Sequence, residues 1–457
     1  MLIAAVALAS ALNAEAARVV DSGKTVGVQY AVVSNGMIAA SGVAGIADIN
    51  AHAAVTEDTR FRIGSVTKLF TAVAVMQLVE HHELSLNDTL ARFEPSFPSA
   101  SSITVRDLLL HRSGIADYLD TALANGSAQK PTTPPEILLQ MAVKPLLSAP
   151  GSAFAYSNTN YVLLGQIVER LSGLALHEFF RAKIFEPAGM TQTFAGPPPS
   201  GIPLAAGYVG RPDATFAPAD PGDITWYYAC GDAWSTAQDL ARFDVALMNG
   251  VLLQSPTLQS MIAAAQPSTF GHRVTYGLGL TRMSSGGSDP LVGHHGGLPG
   301  FEAEDEMIVP DRFAVISLGN ASSYPTYLMN AVAFEALYPD RVRVLRAESL
   351  ADAKAKAAEE DHALTKRFTA FFTSILSGKV DPAGLSSAMA SAMTANQVQQ
   401  IAQYFAKDGK FVKLQYIDQD SVQGYRRYHY GAVFSGASQP VMFVLDSKNE
   451  LSGFFLQ

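Results

Sequence analysis

A single cysteine in 457 residues, Cys230, excludes an intramolecular disulfide framework. With no thiol partner it reads as a small core residue beside Gly231. Charge is scarce as well: 16% of residues are charged against 48% hydrophobic, which excludes a disordered or fibrous chain. The 41 acidic and 32 basic residues leave a net charge of −9, spread without a basic tract. That balance disfavours nucleic acid and anionic membrane as main partners. No internal apolar run is long enough to span a bilayer. The sequence also lacks a Gly-x-Ser-x-Gly elbow, a His-Glu-x-x-His pair and a Walker-type loop, and its ten histidines form no ligand cluster. Neither a metal nor a cofactor is therefore expected.

Three short polar signatures are present, in order: Ser65-Val66-Thr67-Lys68, Tyr156-Ser157-Asn158 and His294-His295-Gly296. The first has a rival copy at Ser127-Ala128-Gln129-Lys130, but that one precedes Pro131 in a polar, loop-like stretch. Ser65 follows Gly64 and opens the apolar run Leu69 to Met76, which reads as a buried helix. On the first turn of such a helix, Ser65 and Lys68 share a face, and the free backbone NH groups favour developing negative charge. Taken singly, each signature has a plainer reading: a cap on a core helix, a tyrosine beside an Asx turn, a packed histidine pair. Taken jointly, they supply a nucleophile, a base, a phenol, an amide and a close-approach glycine strand, which is the equipment of serine acyl transfer.

These segments resemble the penicillin-recognising serine hydrolases, a superfamily of class C β-lactamases, D-Ala-D-Ala carboxypeptidases, D-aminopeptidases and β-lactamase-like esterases. The similarity extends from about Val26 to Tyr338 and includes Arg62 to Lys68, Ile103 to Leu109, His111-Arg112-Ser113-Gly114, Tyr156 to Tyr161 and Gly293 to Gly297. Its closest flavour is the carboxypeptidase branch. The resemblance implies that Ser65 is the nucleophile and that neutral Lys68, Tyr156 or the two together act as base. Asn158 would bond Lys68 or the substrate amide. His294 stands where many relatives have lysine, and is expected to hold the proton network of the tyrosine and to titrate near neutral pH. The backbone NH groups of Ser65 and Gly297 would bind the oxyanion, with Gly296 and Gly297 admitting the substrate closely. Trp226, with Tyr227, would line the cleft. Hydroxyls that help relatives bind a carboxylate are missing here, where His295 and Gly297 stand; protonated His295 or Arg282 is the candidate replacement.

The implied function is hydrolysis of a small-molecule ester, amide or peptide through a Ser65 acyl-enzyme, as an esterase or a D-amino-acid-type peptidase or amidase. Two alternatives stay open: a D-Ala-D-Ala carboxypeptidase or class C-like β-lactamase, and a non-catalytic penicillin-binding-like sensor or scaffold. The resemblance favours a periplasmic or secreted location and leaves a cytoplasmic one open. The apolar start, residues 1–16, reads either as a signal remnant or as the beginning of a first helix over Ala9 to Asp21.

The pattern of elements predicts an α/β (α+β) fold: an antiparallel sheet flanked by helices, with an inserted helical subdomain, over residues 1–345. Its strands are expected at Val26 to Val33, Gly36 to Ala40, Phe301 to Ile308 and Arg312 to Leu318, with a closing helix from Leu328 to Tyr338. Residues 346–457 read as a linker helix and a small α+β domain, NTF2-like in its order of helices then strands, expected to dimerise or to cover the site. Its Tyr425, Tyr428 and Tyr430 read as one sheet face. His81-His82 and His111 read as structural residues at a helix end and a turn.

Overall fold

Asn35 and Gly36 both adopt positive φ, 53° and 75°, which is the type I′ geometry that matches the twist of a two-residue hairpin. They join the strands Gly27–Ser34 and Met37–Asp48. This hairpin sits in a nine-stranded antiparallel sheet in the computed structural model, which describes residues 2–211, 215–270, 273–422 and 425–456. Gly27–Ser34 pairs on its other side with Phe313–Gly319, followed in space by Phe301–Ile308, Leu291–Leu298 and three short strands. Alternation divides the side chains between the two faces of the sheet. Val28, Tyr30, Val32, Phe313 and Val315 pack with Leu8, Leu12, Ala16 and Val19 of the helix Leu2–Asp21 and with Met329 and Phe334 of the helix Tyr327–Leu337. Ala31, Val33, Ala314 and Ile316 face a larger core that contains the helices Thr67–Glu80, Asn158–Ser172 and Ala237–Met248.

The apolar start thus belongs to a helix packed on the sheet; Met1 lies outside the described residues. Among the described residues, no helix is long and apolar enough to cross a membrane. Helices and loops inserted between Met37–Asp48 and Leu291–Leu298 carry the first two polar signatures to the edge of the third. Thr67–Glu80 has no polar side to give to water, since 11 of its 14 residues are buried. Such a helix is held by tertiary packing on every side, so it fixes Lys68 rigidly.

The same core encloses two carboxyl groups that face each other, Asp244 on the helix Ala237–Met248 and Asp305 on the strand Phe301–Ile308. Both are fully buried. Burial raises both above the usual carboxylate range, Asp305 to about 7, and a neighbouring charge adds to it, that of Asp305 for Asp244 and that of Glu304 for Asp305. A raised carboxyl contributes its stability fully below the unfolded carboxylate range, and that contribution is lost as pH rises through about 7. Asp305→Asn is therefore expected to be more stable than wild type at pH 8, by on the order of 1 kcal/mol or more, and to lose this advantage at pH 5. Thermal melts of both proteins across that range test it, and parallel curves refute the raised Asp305 carboxyl.

The chain divides into two compact units, residues 1–343 and 344–457. The helix Pro339–Glu359 runs through the boundary. In the second unit the helices His362–Leu376 and Ala395–Ala406 precede four antiparallel strands in simple sequence order: Phe411–Val422, Tyr425–Phe434, Ser438–Leu445 and Leu451–Leu456. Phe368, Phe372, Phe405, Tyr428, Tyr430 and Phe443 form its core. Tyr425 does not join them. It is 47% exposed, because an odd-numbered position on this strand faces away from Tyr428 and Tyr430.

Candidate active site

The nucleophile candidate is set by a contact between two backbones. Gly64 adopts φ +49°, and a Cβ there would lie 3.2 Å from the Gly296 carbonyl carbon and from the Gly297 nitrogen. A Cβ on Gly296 would fall 2.0 Å from the Ile63 carbonyl oxygen. Only glycine at both positions lets the strand Leu291–Leu298 lie against the 3-10 turn Gly64–Val66 that carries Ser65. Val66 and Thr67 then lead directly into the helix Thr67–Glu80, with Lys68 in its first turn.

Lys68 is completely buried, and its Nζ has three partners: Ser65 Oγ at 3.0 Å, Asn158 Oδ1 at 2.7 Å and the Cys230 carbonyl oxygen at 2.9 Å. Asn158 Oδ1 and the carbonyl can only accept. A neutral amine has two hydrogens for those two acceptors and one lone pair, which then points at the only partner able to donate, the Ser65 hydroxyl. Burial lowers the lysine to about 8, so the neutral form is accessible near physiological pH. Tyr156 donates to Ser65 Oγ at 3.0 Å, and burial drives its phenol well above the ordinary value. It is thus a proton-bearing group beside the serine, and of the two candidate bases the lysine is the one poised to accept.

Asn158 is held by Asp117, whose Oδ1 accepts from the Asn158 backbone NH at 2.8 Å and whose Oδ2 accepts from Nδ2 at 3.1 Å. That clamp turns Oδ1 of the asparagine toward Lys68. His294 is 3% exposed, its Nδ1 bonded to the His295 carbonyl at 2.5 Å and its Nε2 to the Tyr276 hydroxyl at 2.9 Å. The carbonyl fixes the hydrogen on Nδ1, so Tyr276 donates to Nε2. Burial, followed by the Lys68 charge, lowers His294 to about 3. The expectation that it titrates near neutral pH is therefore wrong: an enclosed imidazole with both nitrogens engaged stays neutral. Nor does it hold the Tyr156 proton directly, since both of its nitrogens are taken by other groups. Behind Tyr156 lies His111, fully buried, with ring centroids 4.2 Å apart and Nδ1 accepting from the Ser157 backbone NH at 3.1 Å. It has φ 53°, as suits a turn, but it also backs the phenol.

Ser65 opens into a cleft of about 430 Å³ whose walls include Asp117, Asp120, Tyr156, Asn158, Tyr227, Gly297, Leu298 and Glu302. Trp226 is not among the lining residues. It is 4% exposed and donates its indole NH to the Lys130 carbonyl at 2.6 Å, so its neighbour Tyr227 takes the wall position. His295 is 53% exposed and pairs with Glu302 at 2.9 Å, and Arg282 is exposed on its own strand. Neither lines the cleft, so neither supplies the carboxylate-binding cation foreseen for them. Cys230 bonds through its carbonyl, while burial pushes its thiol up to about 11. The rival Ser127 lies in an exposed 3-10 turn. Among the described residues, no group of three or more His, Cys, Asp or Glu is arranged to hold a metal ion.

Residues 12–317 match the family model described as Beta-lactamase. A D-aminopeptidase of Brucella anthropi is 30% identical over 332 residues, covering 70% of this chain and 61% of that protein, so the chain spans less than two thirds of that relative's length. Among solved structures, a D-amino acid amidase from Ochrobactrum anthropi SV3, complexed with L-phenylalanine amide, superposes with a TM-score of 0.63 at 28% identity over 73% of this chain and 99% of its own. An octameric penicillin-binding protein homologue from Pyrococcus abyssi shares the fold over 95% of this chain and 96% of its own, with a TM-score of 0.64 and 22% identity.

Proposed function

The chain belongs to the beta-lactamase family of serine hydrolases, and from that footing we propose that it cleaves esters or D-amino-acid-type amides through an acyl-enzyme on Ser65. The observation that carries this reading is the set of partners around Lys68 Nζ, in which two obligate acceptors leave the lone pair for the serine hydroxyl. Neutral Lys68 takes the Ser65 proton as Oγ attacks the substrate carbonyl carbon. The backbone NH groups of Ser65 and Gly297 receive the oxyanion. As the tetrahedral intermediate collapses, the proton passes to the leaving amine or alcohol through Lys68 and the Tyr156 hydroxyl, both 3.0 Å from Oγ. Water, activated by the same base, then releases the acid and restores Ser65. Asp117 is a positioning residue that acts through Asn158.

The D-amino-acid preference rests on the names of the similar proteins and on a cleft that combines apolar walls, Leu119, Leu123 and Tyr227, with carboxylates. A carboxypeptidase or β-lactamase must attract a substrate carboxylate, and the acidic lining disfavours that. The test is release of ammonia from D- and L-phenylalaninamide. The D-isomer is expected to turn over at least about tenfold faster, a difference of one well-placed contact. Equal rates for the two isomers, or release from neither, overturn the reading.

A further inference from the structure

Among the described residues, the charged side chains that line the Ser65 cleft are Asp117, Asp120 and Glu302, all of them acidic. They do not have the same work. Asp117 already spends both oxygens on Asn158, and Asp120 is exposed at the rim. Glu302 differs in placement. It stands directly across the strand pair from Gly297, whose backbone NH faces the oxyanion in the mechanism above. A Cβ on Gly297 would lie 3.3 Å from Glu302 Oε2 and 3.6 Å from Oε1, so the carboxylate occupies the space that the missing side chain leaves open. Its side chain is 19% exposed, and the ion pair with His295 Nε2 at 2.9 Å holds it there.

We infer that Glu302 is a specificity determinant of the Ser65 site, pairing with an ammonium on the acyl part of the substrate and turning away a carboxylate. The inference rests on the hydrolase reading and names its substrate class. A carboxylate this close to the strand that faces the scissile carbonyl can meet only a group carried near that carbonyl, which in an amino-acid amide is the α-ammonium. The partial enclosure of Glu302 keeps the interaction from being screened as a surface pair is. Among the described lining residues there is no cation to seat a negatively charged substrate, the nearby His295 being engaged by Glu302, and like charges brought together across a partly desolvated contact repel.

Three boronic acids test it, because boronates add to an active serine without needing turnover: 1-aminoethylboronic acid of the D-alanine configuration, its N-acetyl derivative and its N-succinyl derivative. Wild type is expected to bind the ammonium form at least about tenfold more tightly than the succinylated one. Glu302→Gln should shrink that ratio about tenfold, and Glu302→Asp should retain most of it. A wild type that binds the succinylated boronate as tightly as the ammonium form overturns the inference, whether or not either variant folds. An unchanged ratio in folded Glu302→Gln does the same. If none of the three binds wild type, or all bind Ser65→Ala equally well, it is the serine-hydrolase reading itself that fails, and the inference falls with it.

Discussion

Ser65→Ala is expected to lower kcat/KM for an activated short-chain ester by at least about a thousandfold and to abolish the acyl adduct. The size follows from the absence of a substitute within the cleft. The Cys230 thiol is buried and pushed up to about 11, so it is neither exposed nor ionised. Ser322, which also lines the cleft, has no lysine bonded to it among the described residues, and its Oγ accepts from the Gly300 NH at 2.7 Å. Lys68 lies beneath the serine, bonded to Asn158 and to the Cys230 carbonyl. What survives in the variant is substrate binding and the oxyanion NH groups, which is why a residual rate above that of water is expected. Intact-mass spectrometry after incubation with p-nitrophenyl acetate reads the result. Wild type should gain one acetyl group at early times, and Ser65→Ala none. A variant that acylates or turns over like wild type would remove Ser65 from the mechanism altogether.

The parts of this site that were legible in the sequence are those set by spacing along the chain. Ser65 and Lys68 are one helical turn apart, and the apolar run behind them announces the helix that the fold buries. Gly296 was legible for the same reason, since a glycine in a strand signals close backbone approach. Asp117 was not. It lies in an irregular segment between Ser113 and Leu119, and becomes the clamp of Asn158 only because the fold brings it to the start of the helix Asn158–Ser172. The nearest signal was its place just after His111-Arg112-Ser113-Gly114, which marks a segment held at the site without saying which side chain enters it. Trp226 and Tyr227 show the limit of resolution: adjacent residues on a turn point about 100° apart, so the right segment was found, but only Tyr227 of the two aromatics expected on the wall lies there. Charge state was the least legible property. His294 looks like a neutral-pH switch in one dimension, and only its enclosure, with Tyr276 on one nitrogen and the His295 carbonyl on the other, makes it a fixed neutral ring.

That difference in charge state makes the pH profile of acylation decisive, and it gives the second large effect. Burial lowers Lys68 to about 8, so the fraction able to take the Ser65 proton is small at pH 6 and nearly complete at pH 10. The acylation rate is therefore expected to rise with pH through about 8 and then level off, because the Tyr156 phenol, raised by its own burial, adds no limb above it. His294, lowered to about 3, contributes no inflection near its ordinary value. Lys68→Met should remove the limb and lower the acylation rate by about a thousandfold, roughly 4 kcal/mol of barrier. Lys68→Arg should not restore it, since a guanidinium stays protonated throughout this range. Burial lowers His295, beside the cleft, but its bond to Glu302 and the neighbouring carboxylates raise it overall, so the profile has to be repeated in His295→Asn. A limb that persists there and vanishes in Lys68→Met belongs to the lysine. A limb near pH 6.5 that disappears in His294→Ala would instead return the proton to the histidine, and would mean that the imidazole is far less enclosed than its bonds to Tyr276 and His295 make it.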